Sequence, residues 1–134
     1  MQNNKKVYDY ITIWTEESDE ILISTCPANS RMDINIVKDL VKSRLDYSQG
    51  KALYTLMDVT NMASITKEAR DYLNAPEGGL KGVLGGAFLS NSITSTVIIN
   101  LYLKISKPEV PAKFFTKKED ALKWLLEIKA AKNK

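Results

Sequence analysis

Apolar positions along this 134-residue chain recur with two periods, and the switches between them set out the elements. From Val7 to Trp14 the period is two, with Val7, Ile11 and Ile13 on one side and Tyr8, Tyr10, Thr12 and Trp14 on the other, which predicts a strand. Thr15 to Glu20 is a polar, acidic turn and Ile21 to Cys26 a second strand, so the two form an opening hairpin. Pro27 to Met32 connects to a helix capped by Asp33, with Val37, Leu40, Val41 and Leu45 on one face and its end near Gly50. Ala52 to Val59 is apolar on both faces, as a central strand is. Thr60 to Ile65 then turns, and Thr66 caps a short helix through Asn74 that faces Ala69, Tyr72 and Leu73 inward and is closed by Pro76, Gly78 and Gly79.

The stretch from Gly82 to Pro108 organises the rest. Val83 to Leu89 is apolar on both alternating faces and predicts an interior strand, in which Gly85 and Gly86 mark a close approach by another group. Ser90, Asn91 and Ser92 carry the side-chain oxygens of a helix start, with the cap at Asn91 or Ser92. In the helix Asn91 to Ile105, residues Val97, Ile98, Leu101, Tyr102 and Ile105 form one broad apolar stripe, while Ile99 and Leu103 lie on a separate side. Only Asn100 and Lys104 leave a polar strip, so this helix is covered on two sides. One side meets the sheet; the other meets a neighbouring helix, a second subunit or an apolar ligand. Lys104 and Lys107 suit the negative helix end, and Pro108 stops the helix.

Ala112 to Phe115 makes a brief last strand, Thr116 with Glu119 forms a capping box, and the closing helix puts Ala121, Trp124, Leu125 and Ile128 on its docking face. The element order predicts an α/β fold, a mixed and mostly parallel sheet of about five strands with an N-terminal hairpin and four flanking helices. Residues 1–134 are expected to form a single domain, frayed at 1–6 and 130–134.

Composition narrows the function more by what it lacks. The chain has no histidine, which removes Ser-His and Cys-His nucleophilic catalysis and the usual histidine-containing zinc sites. Its one cysteine, Cys26, cannot form an internal disulfide and reads as a small buried hydrophobe. No apolar run reaches the ~18 residues of a membrane span, and MQNNKK is no secretory signal, so a cytoplasmic protein is expected. The net charge of +3 arises at the C-terminal end, where residues 104–134 carry nine lysines against four acids. Those lysines read as a solvated face complementing helix dipoles, with no nucleic-acid patch. Glu16, Glu17, Asp19 and Glu20 lack the glycine and spacing of a calcium loop and read as a solvated turn. No metal or cofactor is expected.

Ligands of open α/β sheets gather beyond the carboxyl ends of the strands, near helix N-termini. Two turns lie there: Asp58, Thr60, Asn61 and Ser64, and Ser90, Asn91, Ser92 and Thr94. These are the candidates for anion binding or phosphorylation, against the plainer reading that turns and caps favour such residues locally. Gly85, Gly86, Ile99, Tyr102 and Leu103 are the candidates for an interface or an apolar ligand. Carboxylate chemistry through Asp58 or Glu68 is a third, weaker reading, and no catalytic residue is assigned.

Three segments, MDVTNMASITKEARDYL (Met57 to Leu73), INLYLKISKPEVPAKFF (Ile99 to Phe115) and TKKEDALKWL (Thr116 to Leu125), carry a family resemblance. From about Tyr10 to Ile128 the chain resembles small bacterial proteins of unknown function grouped with STAS and CRAL-TRIO-like domains. The resemblance implies a STAS-like sheet flanked by helices. STAS domains of anti-anti-sigma factors are switched by phosphorylation of a serine in an Asp-Ser-Ser-Gly-like turn; the similar region here is Asn61, Met62, Ala63, Ser64, Ile65 and Thr66. CRAL-TRIO domains enclose a lipid in an apolar pocket. The expectation is a binding or regulatory module and not an enzyme, a homodimer or the partner of a regulatory protein through the helix Asn91 to Ile105. The alternative is a carrier of a small apolar or amphipathic ligand.

Overall fold

The computed structural model describes residues 4–17, 20–106 and 108–132, with the backbone alone at 105 and 106. The expectations that fall on Met1–Asn3, Asp19, Lys107, Asn133, Lys134 and the Ile105 side chain lie outside the described residues. The chain opens with β1 (Lys6–Val7), β2 (Thr12–Glu16), β3 (Ile21–Thr25) and β4 (Ser30–Met32), followed by α1 (Ile34–Ser48). It continues through β5 (Leu53–Asp58), β6 (Met62–Ile65), α2 (Lys67–Leu73), β7 (Val83–Leu89), α3 (Ile93–Ser106), β8 (Ala112–Phe115) and α4 (Lys118–Lys132).

The main sheet has the order β1-β2-β3-β5-β7-β8; β1, β2 and β3 are antiparallel, and every later pairing is parallel. This is the mixed, mostly parallel sheet with a leading hairpin that the alternation of strands and helices predicts. Each central strand is apolar on both sides because each side has its own core. Leu22 faces a cluster with Val37, Leu40 and Val41 of α1, Ala69 of α2 and Ile99 and Tyr102 of α3. Ile21 and Ile23, with Tyr54, Leu56, Ala87 and Leu89, face Ala121 and Leu125 of α4.

Local chemistry explains the boundaries. Asp33 accepts from the Ile36 N–H at 2.9 Å, and α1 ends on Gln49 and Gly50, both left-handed. Thr66 caps α2 by accepting from the Ala69 N–H at 3.1 Å. Three expectations need correction. The strand expected from Val7 to Trp14 is folded on itself: the Tyr8 N–H donates to the Ile11 carbonyl at 2.8 Å, so Val7 pairs with Thr12 at the sheet edge, exposed, while Ile11 and Ile13 go inside. The expected connection Pro27 to Met32 and turn Thr60 to Ile65 hold a second, two-stranded parallel sheet, β4 with β6, which buries Met32 and Met62. The closing helix begins at Lys118, two residues after the expected Thr116 cap, and runs to Lys132 through positions expected to fray.

Glu16 and Glu20 of the acidic segment are each held by a lysine. Lys118 and Lys129, near the two ends of α4, reach Glu16 at 2.7 Å and Glu20 at 2.8 Å. Burial alone would raise the Glu16 carboxyl, but hydrogen bonds from Lys118 and the Trp14 indole N–H outweigh it and hold the group below the usual carboxylate range.

At the start of β7 the register shifts: Leu53 pairs with Val83 but Tyr54 with Gly85, leaving Leu84 extra. Leu84 and Gly85 thus both point to the α4 side. A Cβ on Gly85 would stand 2.9 Å from Ile128 Cδ1 and 3.2 Å from the Tyr54 ring, whereas one on Gly86 would touch only Thr55 Oγ1, at 3.4 Å. Gly85→Val is therefore expected to lose about 1–3 kcal/mol of unfolding free energy and Gly86→Ala less than 1 kcal/mol, as measured by urea titration.

Candidate functional site

Three features could carry function, and all three involve α3. The first is the polar cluster at the carboxyl ends of β5 and β7. Thr60 Oγ1 accepts from the Asn91 N–H at 3.1 Å, and Asp58 accepts from the Thr60 N–H at 3.0 Å, so the two predicted turns do meet. Their hydrogen bonds are then used internally. Ser90 is 1% exposed; its hydroxyl accepts from the Ser92 N–H at 3.0 Å, donates to the Ser92 carbonyl and bonds to the Ser95 hydroxyl. Ser92 caps α3 by accepting from the Ser95 N–H at 3.4 Å, and its carbonyl takes the Thr96 hydroxyl at 2.6 Å. Ser64 is on β6 opposite Arg31 and shares no hydrogen bond with this cluster. Asn61 instead ties the turn to the residue that follows β3, by donating to the Cys26 carbonyl at 3.0 Å. The arrangement locks a helix start between two strands.

The second feature is a cavity of about 100 Å³ between the sheet and the helices α1 and α3. Its walls are mostly apolar, with Leu40 and Val41 from α1, Met57 and Phe88 from the sheet, and Ile98 and Ile99 from α3, while Ser24 and Thr55 of the sheet add hydroxyls. Tyr102 lies in the same wall; its ring meets Phe88 edge-on at 5.8 Å, and burial pushes its hydroxyl up to about 12. Gly86 lines the cavity; Gly85 faces Ile128.

One residue of this wall is charged. Arg44 is 9% exposed and lines the cavity, and its hydrogen bond, from Nη2, goes to the Gly79 carbonyl at 3.1 Å. Burial brings its guanidinium down to about 10, against a smaller opposing effect of Tyr72, which leaves it charged at neutral pH. Among the described residues no carboxylate forms an ion pair with it. Reading α1 by its apolar positions passes over Arg44, although the signal was there: it follows Leu40 by four and Val41 by three, on the face that goes inside.

The third feature is the outward side of α3. Ile93, Val97 and Leu101 are 87%, 62% and 46% exposed, while Ile99 and Tyr102 are buried in the core and Leu103 is half-buried against it. The apolar residues on the open side are therefore not the pair Ile99 and Leu103 that the periodicity singled out.

Cys26 is buried and its thiol is pushed up, first by that burial. Among the described residues, no group of three potential ligands could hold a metal ion, and no helix is long and apolar enough to cross a membrane.

Comparison with known proteins agrees with this architecture. The chain is similar in structure to an uncharacterised protein of the DUF3478 family with a SpoIIAA-like fold from Shewanella loihica PV-4, with a TM-score of 0.61 and 18% identity over 90% of this chain and 97% of the other. That likeness supports the STAS-like fold. No curated protein matches by sequence. The family model "Domain of unknown function (DUF7793)" matches residues 13–129, nearly all of the sheet and its helices, and the chain belongs to that family.

Proposed function

We propose that the chain acts as a non-catalytic binding module that pairs with a second copy of itself through the outward stripe of α3. The stripe Ile93, Val97, Leu101 carries this reading. Large apolar side chains this exposed, aligned along one helix, are what an uncovered interface presents. Their spacing of four and four reads the same in both directions about Val97. A two-fold antiparallel contact would set Val97 against its counterpart and Ile93 against Leu101 of the partner, as an isologous interface requires. The flanking exposed residues Thr94, Asn100 and Lys104 bring a single charge, so nothing in the stripe selects an acidic or basic partner. The buried, mutually bonded hydroxyls of Ser90 and Ser95 favour a structural role for the cluster over catalysis or phosphorylation.

Cross-linking tests the geometry. Val97→Cys is expected to form a disulfide-linked dimer under mild oxidation, while Glu119→Cys, exposed on α4, stays monomeric on a reducing-free gel; Cys26 is buried and does not compete. Equal cross-linking of the two variants would remove α3 from the interface.

A second reading, a carrier of a small apolar or amphipathic ligand, is favoured by the cavity behind the same helix.

A further inference from the structure

We propose that the cavity between the sheet and α1 and α3 is a binding site for a small organic acid, whose carboxylate is held by Arg44 and whose short aliphatic or aromatic body fills the apolar space. The inference rests on the carrier reading and names its ligand class.

Arginine is almost never fully buried unless paired, because taking its charge out of water costs several kcal/mol that only a partner offsets. Arg44 is nine-tenths buried, remains charged at neutral pH, and among the described residues makes its hydrogen bond to a backbone carbonyl and no ion pair. A guanidinium carries five N–H donors in a planar fork, and the bond to Gly79 uses one of them. The complement of such a fork is a carboxylate, which takes two parallel hydrogen bonds and cancels the charge. The remaining walls set the rest of the ligand. Val41, Met57, Phe88 and Ile98 are apolar, and the lining hydroxyls of Ser24, Thr55 and Tyr102 are neutral, so Arg44 is the one charged group in the lining and a strongly hydrated, multiply charged ion such as phosphate would exchange its water for too few partners. The volume of about 100 Å³ is less than the ~150 Å³ of an apolar cavity that admits benzene, so a short aliphatic chain fits as the space stands and a phenyl ring requires the walls to give, with the carboxylate at the wall in either case.

Arg44 has a competing explanation as a brace for the loop that contains Gly79, and the two make opposite predictions for Arg44→Met. If the residue is a brace, the substitution lowers Tm. If it awaits an anion, removing an unpaired buried charge leaves Tm of the unliganded protein unchanged or raised, and ligand binding is what disappears.

The test is calorimetric and thermal-shift titration of the full chain with sodium benzoate and sodium butyrate, against benzyl alcohol, sodium phosphate and sodium chloride at matched ionic strength. The expected result is saturable benzoate or butyrate binding that raises Tm, with affinity falling about tenfold or more in Arg44→Met, and benzyl alcohol binding no better to the natural chain than to that variant. Gly86→Ala, which narrows the cavity without touching Arg44, should weaken benzoate too, and it keeps the test available if Arg44→Met does not fold. Phosphate binding as well as benzoate would overturn the apolar half of the proposal. Benzyl alcohol binding as well as benzoate would overturn the role of Arg44 while leaving the carrier reading standing. Binding of neither would overturn both.

Discussion

Val97→Asp is expected to leave the chain folded and to abolish its self-association. Val97 is 62% exposed and belongs to neither core, so the change removes no buried contact and alters stability by less than about 1 kcal/mol. In the two-fold contact proposed for α3, however, Val97 lies on the axis, so one substitution places two carboxylates face to face in the driest part of the interface. Losing an apolar centre and gaining a like-charge pair is worth about 3 kcal/mol or more, a hundredfold or greater weakening of the dimer. Circular dichroism of the variant should match that of the natural chain while its sedimentation coefficient drops to the monomer value. A dimer that survives the substitution would mean that α3 does not form the contact.

Leu125→Ala is expected to have the largest effect on the fold itself, a loss of about 2–5 kcal/mol from a total that for such domains is about 5–15 kcal/mol. On its side of the sheet α4 is the helix of the core among the described residues, and Leu125 is completely buried there among Ile21, Ile23, Tyr54, Leu56 and Ala87. With the neighbouring strands held in register on both sides, they cannot collapse into the space the side chain leaves. Urea titration should show a lower midpoint with little change in slope, and Lys123→Ala, exposed on the far side of the same helix, should stay within about 0.5 kcal/mol of the natural chain. A Leu125→Ala loss below about 1 kcal/mol would mean that α4 is not docked as described.

Much of the fold was legible because its signals are local. Asp33 and Thr66 announce their helices through hydrogen bonds made within three residues, and the doubly apolar strands β5 and β7 advertise that helices cover both faces. Signals that depend on distant partners were harder to read. The strands β4 and β6 are three and four residues long, too short for a period to register, and exist because each supplies the other's hydrogen bonds. The Val7 to Trp14 alternation gives no sign of the turn at Tyr8 to Ile11, which sets Val7 on the face of Thr12 and away from Ile11 and Ile13.

The candidate site was half legible for a related reason. That α3 is apolar on two sides follows from its composition, but with so narrow a polar strip the sequence has little to fix its rotation. The structure fixes it through tertiary contacts, the Tyr102 ring against Phe88 and the buried Ser95 against Ser90, which turn Ile98, Ile99 and Tyr102 inward and leave Ile93, Val97 and Leu101 outside. Arg44 was passed over because a charged residue on an apolar face is ordinarily discounted as exposed, and only the cavity beside it gives the position meaning.

Sedimentation velocity of the natural chain over a wide dilution series bears most directly on the proposal that α3 is an interface. The proposal predicts a species of twice the 15.1 kDa chain mass that dissociates only at the lowest concentrations. A single 15.1 kDa species at every concentration, up to that of a concentrated stock, would contradict it.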